Sequence, residues 1–219
     1  MTDSRSFSVA NLAIAIIAMA SVVVASNFLV QFPVQGMLGS INLADILTWG
    51  AFTYPAAFLV TDLTNRRFGP TAARYVVLVG FAIAVVLSIW LATPRIAIAS
   101  GTAFLVAQLL DVTIFDRLRR AAWWKAPFVS SILGSVVDTV LFFSIAFAAA
   151  FAFIDLGFGM DDGSLAFPVP FLSVGGEVPL WTSLAAGDLI VKVLVAVALL
   201  APYRVVLNFF QPAPNGSTA

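Results

Sequence analysis

S-S-I-L-G-S-V-V-D-T-V-L-F-F, residues 130–143, places a single carboxylate, Asp138, inside a run of otherwise small or apolar side chains. The run is helical in period and apolar on nearly every side, which is the pattern of a helix in lipid. A charge at the centre of such a helix costs about 2.5–3.5 kcal/mol on insertion scales, so it faces a partner, a cavity or a bound molecule. Composition agrees with that setting. Of 219 residues, 61% are hydrophobic and 10% charged, and the mean hydropathy is +1.04; a soluble domain carries roughly 25% charged residues.

Working outward, six stretches are long and apolar enough to cross a bilayer of about 20 helical residues: 8–32, 46–66, 70–92, 95–116, 126–152 and 181–209. The chain therefore reads as an all-α integral membrane protein, a single domain over 1–210 with six transmembrane helices. The first stretch lacks a small-residue cleavage site and reads as a retained helix. Cytoplasmic loops keep Lys and Arg. With the N-terminus inside, that side holds Arg5, Arg66, Arg67, Arg74, Arg117, Arg119, Arg120, Lys125 and Arg204, while the other side holds Arg95. This predicts an N-in, C-in topology. The fifth connection, 154–180, is extracytoplasmic on this reading; it carries Asp155, Asp161, Asp162 and Glu177 and is rich in Gly and Pro, suiting either a lid or an exposed loop. Residues 211–219 read as a disordered tail.

The chain has no histidine and no cysteine. That excludes disulfides, thiolate or imidazole metal sites and Ser-His or Cys-His nucleophiles, and no G-x-x-x-x-G-K-[ST] loop is present to hydrolyse ATP. No cofactor is expected. A membrane enzyme built on Asp62 and Asp111 lacks a recognisable nucleophile motif.

The intramembrane polar residues define the candidate site. At 1.5 Å per residue, Asp138 lies about 18 Å from the cytoplasmic start of its helix, and Lys192 lies roughly 16 Å from the outer start of the last one. The two sit at similar depth, and Asp188, at i−4 from Lys192, competes with Asp138 for the ammonium. Either a self-neutralising ion pair or a binding site fits this set. Asp62 and Asp111 lie nearer the cytoplasmic boundary, close to Arg66 and Arg117, where local salt bridges are the plain alternative. Gln108 could donate an amide to a planar solute or join two helices. Asn27, Thr48, Trp49 and Tyr54 would line the outer half, with Trp49 or Tyr54 offering a stacking face. Pro55 should kink the second helix.

Several of these segments together resemble one family: N-F-L-V-Q-F-P (27–33), T-W-G-A-F-T-Y-P-A-A-F-L-V-T-D-L-T (48–64), F-G (68–69), A-Q-L-L-D-V-T-I-F-D-R-L-R-R (107–120), W-W-K-A-P (123–127) and G-S-V-V-D-T-V-L-F-F (134–143). The chain is similar to the queuosine precursor transporters, also called the VUT family. The resemblance implies a six-helix importer in the bacterial inner membrane for 7-cyano- and 7-aminomethyl-7-deazaguanine, salvaged for tRNA queuosine. It also implies that Asn27, Asp62, Gln108, Asp111, Asp138 and Lys192 hold the family's polar motif positions. A guanine-like edge presents an N–H beside an amino group, which one carboxylate accepts bidentately. Asp138 would read that edge, with Gln108 or Lys192 donating to the ring carbonyl.

The expected partners are thus a small deazaguanine and the lipid bilayer, without nucleic acid, with homo-oligomerisation left open. The alternative is a substrate-binding subunit of an ATP-driven vitamin or nucleobase importer. Such subunits commonly dock through an A-x-x-x-A stripe on their first helix, and the alanines at 10, 13, 15, 18, 20 and 25 contain no pair four apart. No ATPase subunit is therefore expected.

Overall fold

A computed structural model describes residues 9–39 and 41–210; Arg5 and the expected tail 211–219 lie outside the described residues. Helix α1 is Val9–Leu29. A loop follows, with strands β1 (Met37–Leu38) and β2 (Ile41–Asn42) paired antiparallel and a 3₁₀ turn at Leu43–Asp45. Next come α2 (Gly50–Thr53), α3 (Ala56–Phe68), α4 (Pro70–Leu91), α5 (Pro94–Leu118) and α6 (Lys125–Phe147). The long connection holds a short α7 (Ala152–Gly157) and strands β3 (Pro168–Pro170) and β4 (Glu177–Pro179), and α8 (Leu180–Phe210) closes the chain. The body is all-helical, and the two ribbons are confined to connections.

Among the described residues, five helices are long and apolar enough to span a membrane: α1, α4, α5, α6 and α8. Their outward faces are studded with large exposed apolar side chains, among them Ile14, Ile17, Leu78, Ile89, Val140, Leu194 and Val205, while Asp, Lys, Gln and Ser are turned inward. That inverted arrangement is stable only where the surroundings are lipid.

The expected second span, 46–66, differs from the structure. It is not one helix: α2 and α3 meet at Tyr54 and Pro55, and residues 46–49 are not part of either. Pro55 lacks an N–H and so breaks the hydrogen-bond ladder, although Tyr54 and Pro55 both keep right-handed helical dihedrals. The kink is therefore local. The fifth expected span, 126–152, also stops early, at Phe147, and the chain turns through a 3₁₀ segment before α7.

Short α3 is the hub of the bundle, packing on α1, α4, α5, α6 and α8. Its end is sharp because Gly69 adopts φ 89°, ψ 173°, a conformation reserved for glycine, and Pro70 then opens α4 at its first turn, where no N–H is needed. Between α3 and α6 the spacing is set by Gly134. A Cβ there would sit 2.7 Å from Cε1 and 3.0 Å from Cζ of buried Phe58. On α5, buried Ala99, Ala103 and Ala107 allow similarly close approach to neighbouring helices.

The connection after α6 is tied down by a buried arginine. Arg95, at the start of α5, donates from Nη1 to Asp155 Oδ2 (2.7 Å), from Nε to the Ile145 carbonyl (2.8 Å) and from Nη2 to the Ala148 carbonyl (2.5 Å). Its Nη1 also reaches Ser164 and the exposed Asp162. The Ser164 hydroxyl and N–H hold the Asp162 carboxyl below the usual carboxylate range. The guanidinium thereby takes up carbonyls left free at the end of α6. A loop held by a charge with this many bonds is an ordered one.

Replacing Gly134 with alanine should cost about 1–3 kcal/mol through overpacking against Phe58, read as a lower thermal midpoint in detergent. Pairing it with Phe58→Leu should recover part of the loss; a Gly134→Ala protein that melts like wild type would contradict this packing.

Candidate functional site

Two helices and one kink converge on Lys192. Its ammonium lies 2.7 Å from Asp138 Oδ2 and 2.5 Å from Asp188 Oδ2, bridging α6 and α8. The Tyr54 hydroxyl, delivered by the α2–α3 kink, donates to Asp138 Oδ1 at 2.8 Å. Thr139 donates to Asp188 Oδ2 at 2.8 Å. The ammonium also stands 5.1 Å from the centre of the Tyr54 ring, within cation–π range. Asp138 and Lys192 are each only 4% exposed. In such surroundings an uncompensated charge is very costly, so each member of the set depends on the others.

The competition between Asp138 and Asp188 for Lys192 is thus resolved in favour of both. With all three groups ionised the cluster carries one net negative charge.

This cluster forms the floor of a cavity of about 530 Å³. The lining identifies which end is open. From α6 it takes Asp138, Phe142, Phe143 and Phe147; from α8 it takes Leu184, Asp188 and Lys192. These residues run from the polar cluster toward the end of the bundle that carries the long connection. Toward the opposite end lies a crevice of about 10 Å³ beside Asp62, Ser131 and Tyr203, room for about one water. The lining of the cavity runs toward the end of the long connection.

The other predicted site residues divide between these two regions. Asn27 lines the cavity, with its amide bonded to the Val23 carbonyl at 2.9 Å, and Thr48 joins it there. Trp49 does not line the cavity: it is 48% exposed and packs on Phe52 at 5.6 Å between centroids. Aromatic surface is instead supplied by Tyr54 and by the phenylalanines of α6. Gln108 is buried behind the cavity wall, its Oε1 2.7 Å from the Thr61 hydroxyl. Asp62 takes the Ser130 and Ser131 hydroxyls, both at 3.3 Å. It forms no salt bridge with Arg66, which bonds Tyr203 and the Arg119 carbonyl instead. Asp111 is buried in the same region.

The sequence marks Asp188 as a competitor for Lys192 and does not single out Thr139. Asp188 is spaced for Lys192 at i−4, but its place on the cavity depends on how α8 is rotated. The space left by Gly134 admits the Phe58 ring.

A lipid-facing exterior, buried ionised groups and a cavity reaching the middle of the bundle from one end define a multi-pass membrane protein built to admit a polar solute. The chain belongs to the family described as "Putative vitamin uptake transporter", which it matches over residues 48–206. It is 35% identical to the "Probable queuosine precursor transporter" of Haemophilus influenzae and 34% identical to the "Queuosine precursor transporter" of Escherichia coli, in each case over 85% of this chain and 82% of the relative. A "Probable queuosine precursor transporter" of Bacillus subtilis is 27% identical over 46% of this chain and 56% of its own length. No solved structure matches.

Lys192→Met should leave two buried carboxylates without a cation and destabilise the protein by about 3–5 kcal/mol. Adding Asp138→Asn should restore part of the lost yield and thermal stability in detergent, and adding Asp188→Asn as well should restore more. A single Lys192→Met variant as stable as wild type would remove the triad from the fold's energetics.

Proposed function

We propose that this protein imports the queuosine precursors 7-cyano-7-deazaguanine and 7-aminomethyl-7-deazaguanine across the bacterial inner membrane, for salvage into tRNA. The observation that carries the reading is the carboxylate, ammonium and phenol set at the floor of a cavity of about 530 Å³, within the roughly 300–1,000 Å³ range of small-molecule sites. The names of the relatives from Haemophilus influenzae and Escherichia coli point to the same solutes.

On this reading α2 and α3 together make the remaining crossing, giving six spans in one domain, and both termini are cytoplasmic. Basic residues Arg66, Arg67, Arg74, Arg117, Arg119, Arg120, Lys125 and Arg204 then gather on the inner side. The cavity opens outward, beneath the extracytoplasmic connection 154–180. The chain acts without an ATPase subunit or a cofactor.

The chemistry of loading follows from the bonds at rest. Asp138 has both oxygens engaged, one by Tyr54 and one by Lys192. An arriving guanine-like edge offers an N–H and an amino group side by side and exchanges with them. Lys192 need not be left unpaired, because Asp188 retains it. The freed ammonium hydrogens and the Tyr54 hydroxyl are then donors for the ring carbonyl, and the phenylalanines of α6 cover the ring faces. The cluster's net negative charge favours the cationic aminomethyl compound.

Two variants test the reading on the purified protein with 7-cyano-7-deazaguanine, 7-aminomethyl-7-deazaguanine and guanine. Asp138→Asn should weaken binding of both deazaguanines by about tenfold or more and abolish uptake in cells unable to make them. Asp188→Asn should weaken the aminomethyl compound more than the cyano compound. Wild-type protein that binds none of the three, or an Asp138→Asn protein that transports normally, would overturn the assignment.

A further inference from the structure

The polar groups on the closed side of Lys192 have their own chemistry. Asp111, on α5, is 0% exposed, and neither of its carboxylate oxygens has a hydrogen-bond partner. Asp62 stands on α3 where that helix crosses α5 at Asp111: its neighbours Thr61 and Asn65 donate to Gln108 Oε1 (2.7 Å) and to the Val112 carbonyl (3.0 Å). The two differ in their surroundings. Asp62 receives two serine hydroxyls from α6, whereas Asp111 receives no donor at all.

Among the described residues no Lys or Arg forms an ion pair with Asp62 or Asp111. Arg66 is one turn from Asp62, but its guanidinium bonds the Tyr203 hydroxyl on α8 and the Arg119 carbonyl and lies 5.0 Å from the Phe115 ring centre. Arg119 is turned to the carbonyls of Asn65 and Arg66 and to Asp116. On α4 the nearest basic side chain, Arg74, is exposed. Two buried carboxylates in contact cannot both be ionised without a counter-charge. Asp111 lines neither the large cavity nor the crevice, so the compensating ion must occupy almost no volume.

We propose that Asp62 and Asp111 form a proton-binding carboxyl pair, with the proton at rest on Asp111 and the negative charge on Asp62. The serine hydroxyls stabilise the ionised partner, and an un-ionised carboxyl is the form of Asp111 that tolerates a site without donors. Two further buried groups without partners stand between this pair and the Lys192 cluster: the Gln108 amide Nε2, one turn from Asp111, and the Ser135 hydroxyl, one turn from Ser131 on the way to Asp138. From Ser131 to Asp138 the rise along α6 is about 10 Å. A change in the hydrogen bonding of Asp138 is therefore transmitted through one intervening layer. In a transport cycle, one proton is bound from the compartment the cavity faces and released on the other side. The proton site stands on the packing alone; its coupling to solute movement rests on the function proposed above.

Infrared spectroscopy of the full chain in lipid, with no solute, reads the site directly. Wild type should show the C=O stretch of an un-ionised carboxyl at neutral pH, which Asp111→Asn deletes. Should that variant fail to fold, Asp111→Glu shifts the band instead. A wild type without the band, or a band indifferent to both variants, overturns the proton site, as does a band-free protein stabilised by sodium. In proteoliposomes with an acidic exterior, wild type should accumulate labelled 7-cyano-7-deazaguanine against its gradient. Asp111→Asn should only equilibrate it while still exchanging labelled for unlabelled solute. Accumulation equal to wild type overturns the coupling. Absence of uptake and exchange in every protein counts against the transport reading, while the infrared band still decides the proton site.

Discussion

The ammonium of Lys192, held between Asp138 and Asp188, is the constraint around which the bundle is arranged. Three ionised side chains at the middle of a lipid-facing protein are tolerable only if they compensate one another within hydrogen-bond distance. That requirement brings α6 and α8 together at one depth and one rotation, and it draws the α2–α3 kink inward so that Tyr54 can complete the coordination of Asp138. A purely apolar contact would pack these helices at no greater cost. The retained charges therefore point to a task, and a cavity ending on them is the means to perform it.

The broken second helix serves the same end. Backbone that departs from a helix at membrane depth must be buried in protein or line a wet cavity, and here both conditions hold. Residues Thr48, Gly50, Ala51 and Tyr54 line the cavity, while α3, beyond the kink, is enclosed by five long helices. Because α3 touches every long helix, a shift at Tyr54 bears on all of them. Asp62, two turns further along α3, is placed to register such a shift. The Lys192 cluster and the two aspartates Asp62 and Asp111 are thus joined by two elements, α3 and the serine-bearing face of α6.

Much of the site was legible before any coordinates. The depth arithmetic that paired Asp138 with Lys192 works because a helix crossing a slab of known thickness converts residue number into height. Height is not direction, however. Trp49 and Tyr54 are five residues apart near a proline, and only the kink decides that Tyr54 faces Asp138 while Trp49 faces outward. Gln108 has the right depth for the cavity but the wrong azimuth, and its carbonyl oxygen is taken by Thr61. Asp62 sits one turn from Arg66, yet that arginine is drawn to α8 and to the Arg119 carbonyl.

Composition, apolar run lengths and the placement of Lys and Arg are properties of the chain alone, because the bilayer acts on each segment nearly independently. They suffice to establish a membrane protein, its helical class and the few residues whose burial demands an explanation. Which carboxylate meets which cation, which end of the bundle is open, and which aspartate is left without a donor depend on helix rotation and on contacts between segments far apart in sequence. Those follow from packing, where Gly134 against Phe58 and the break at Pro55 set distances that no local pattern encodes.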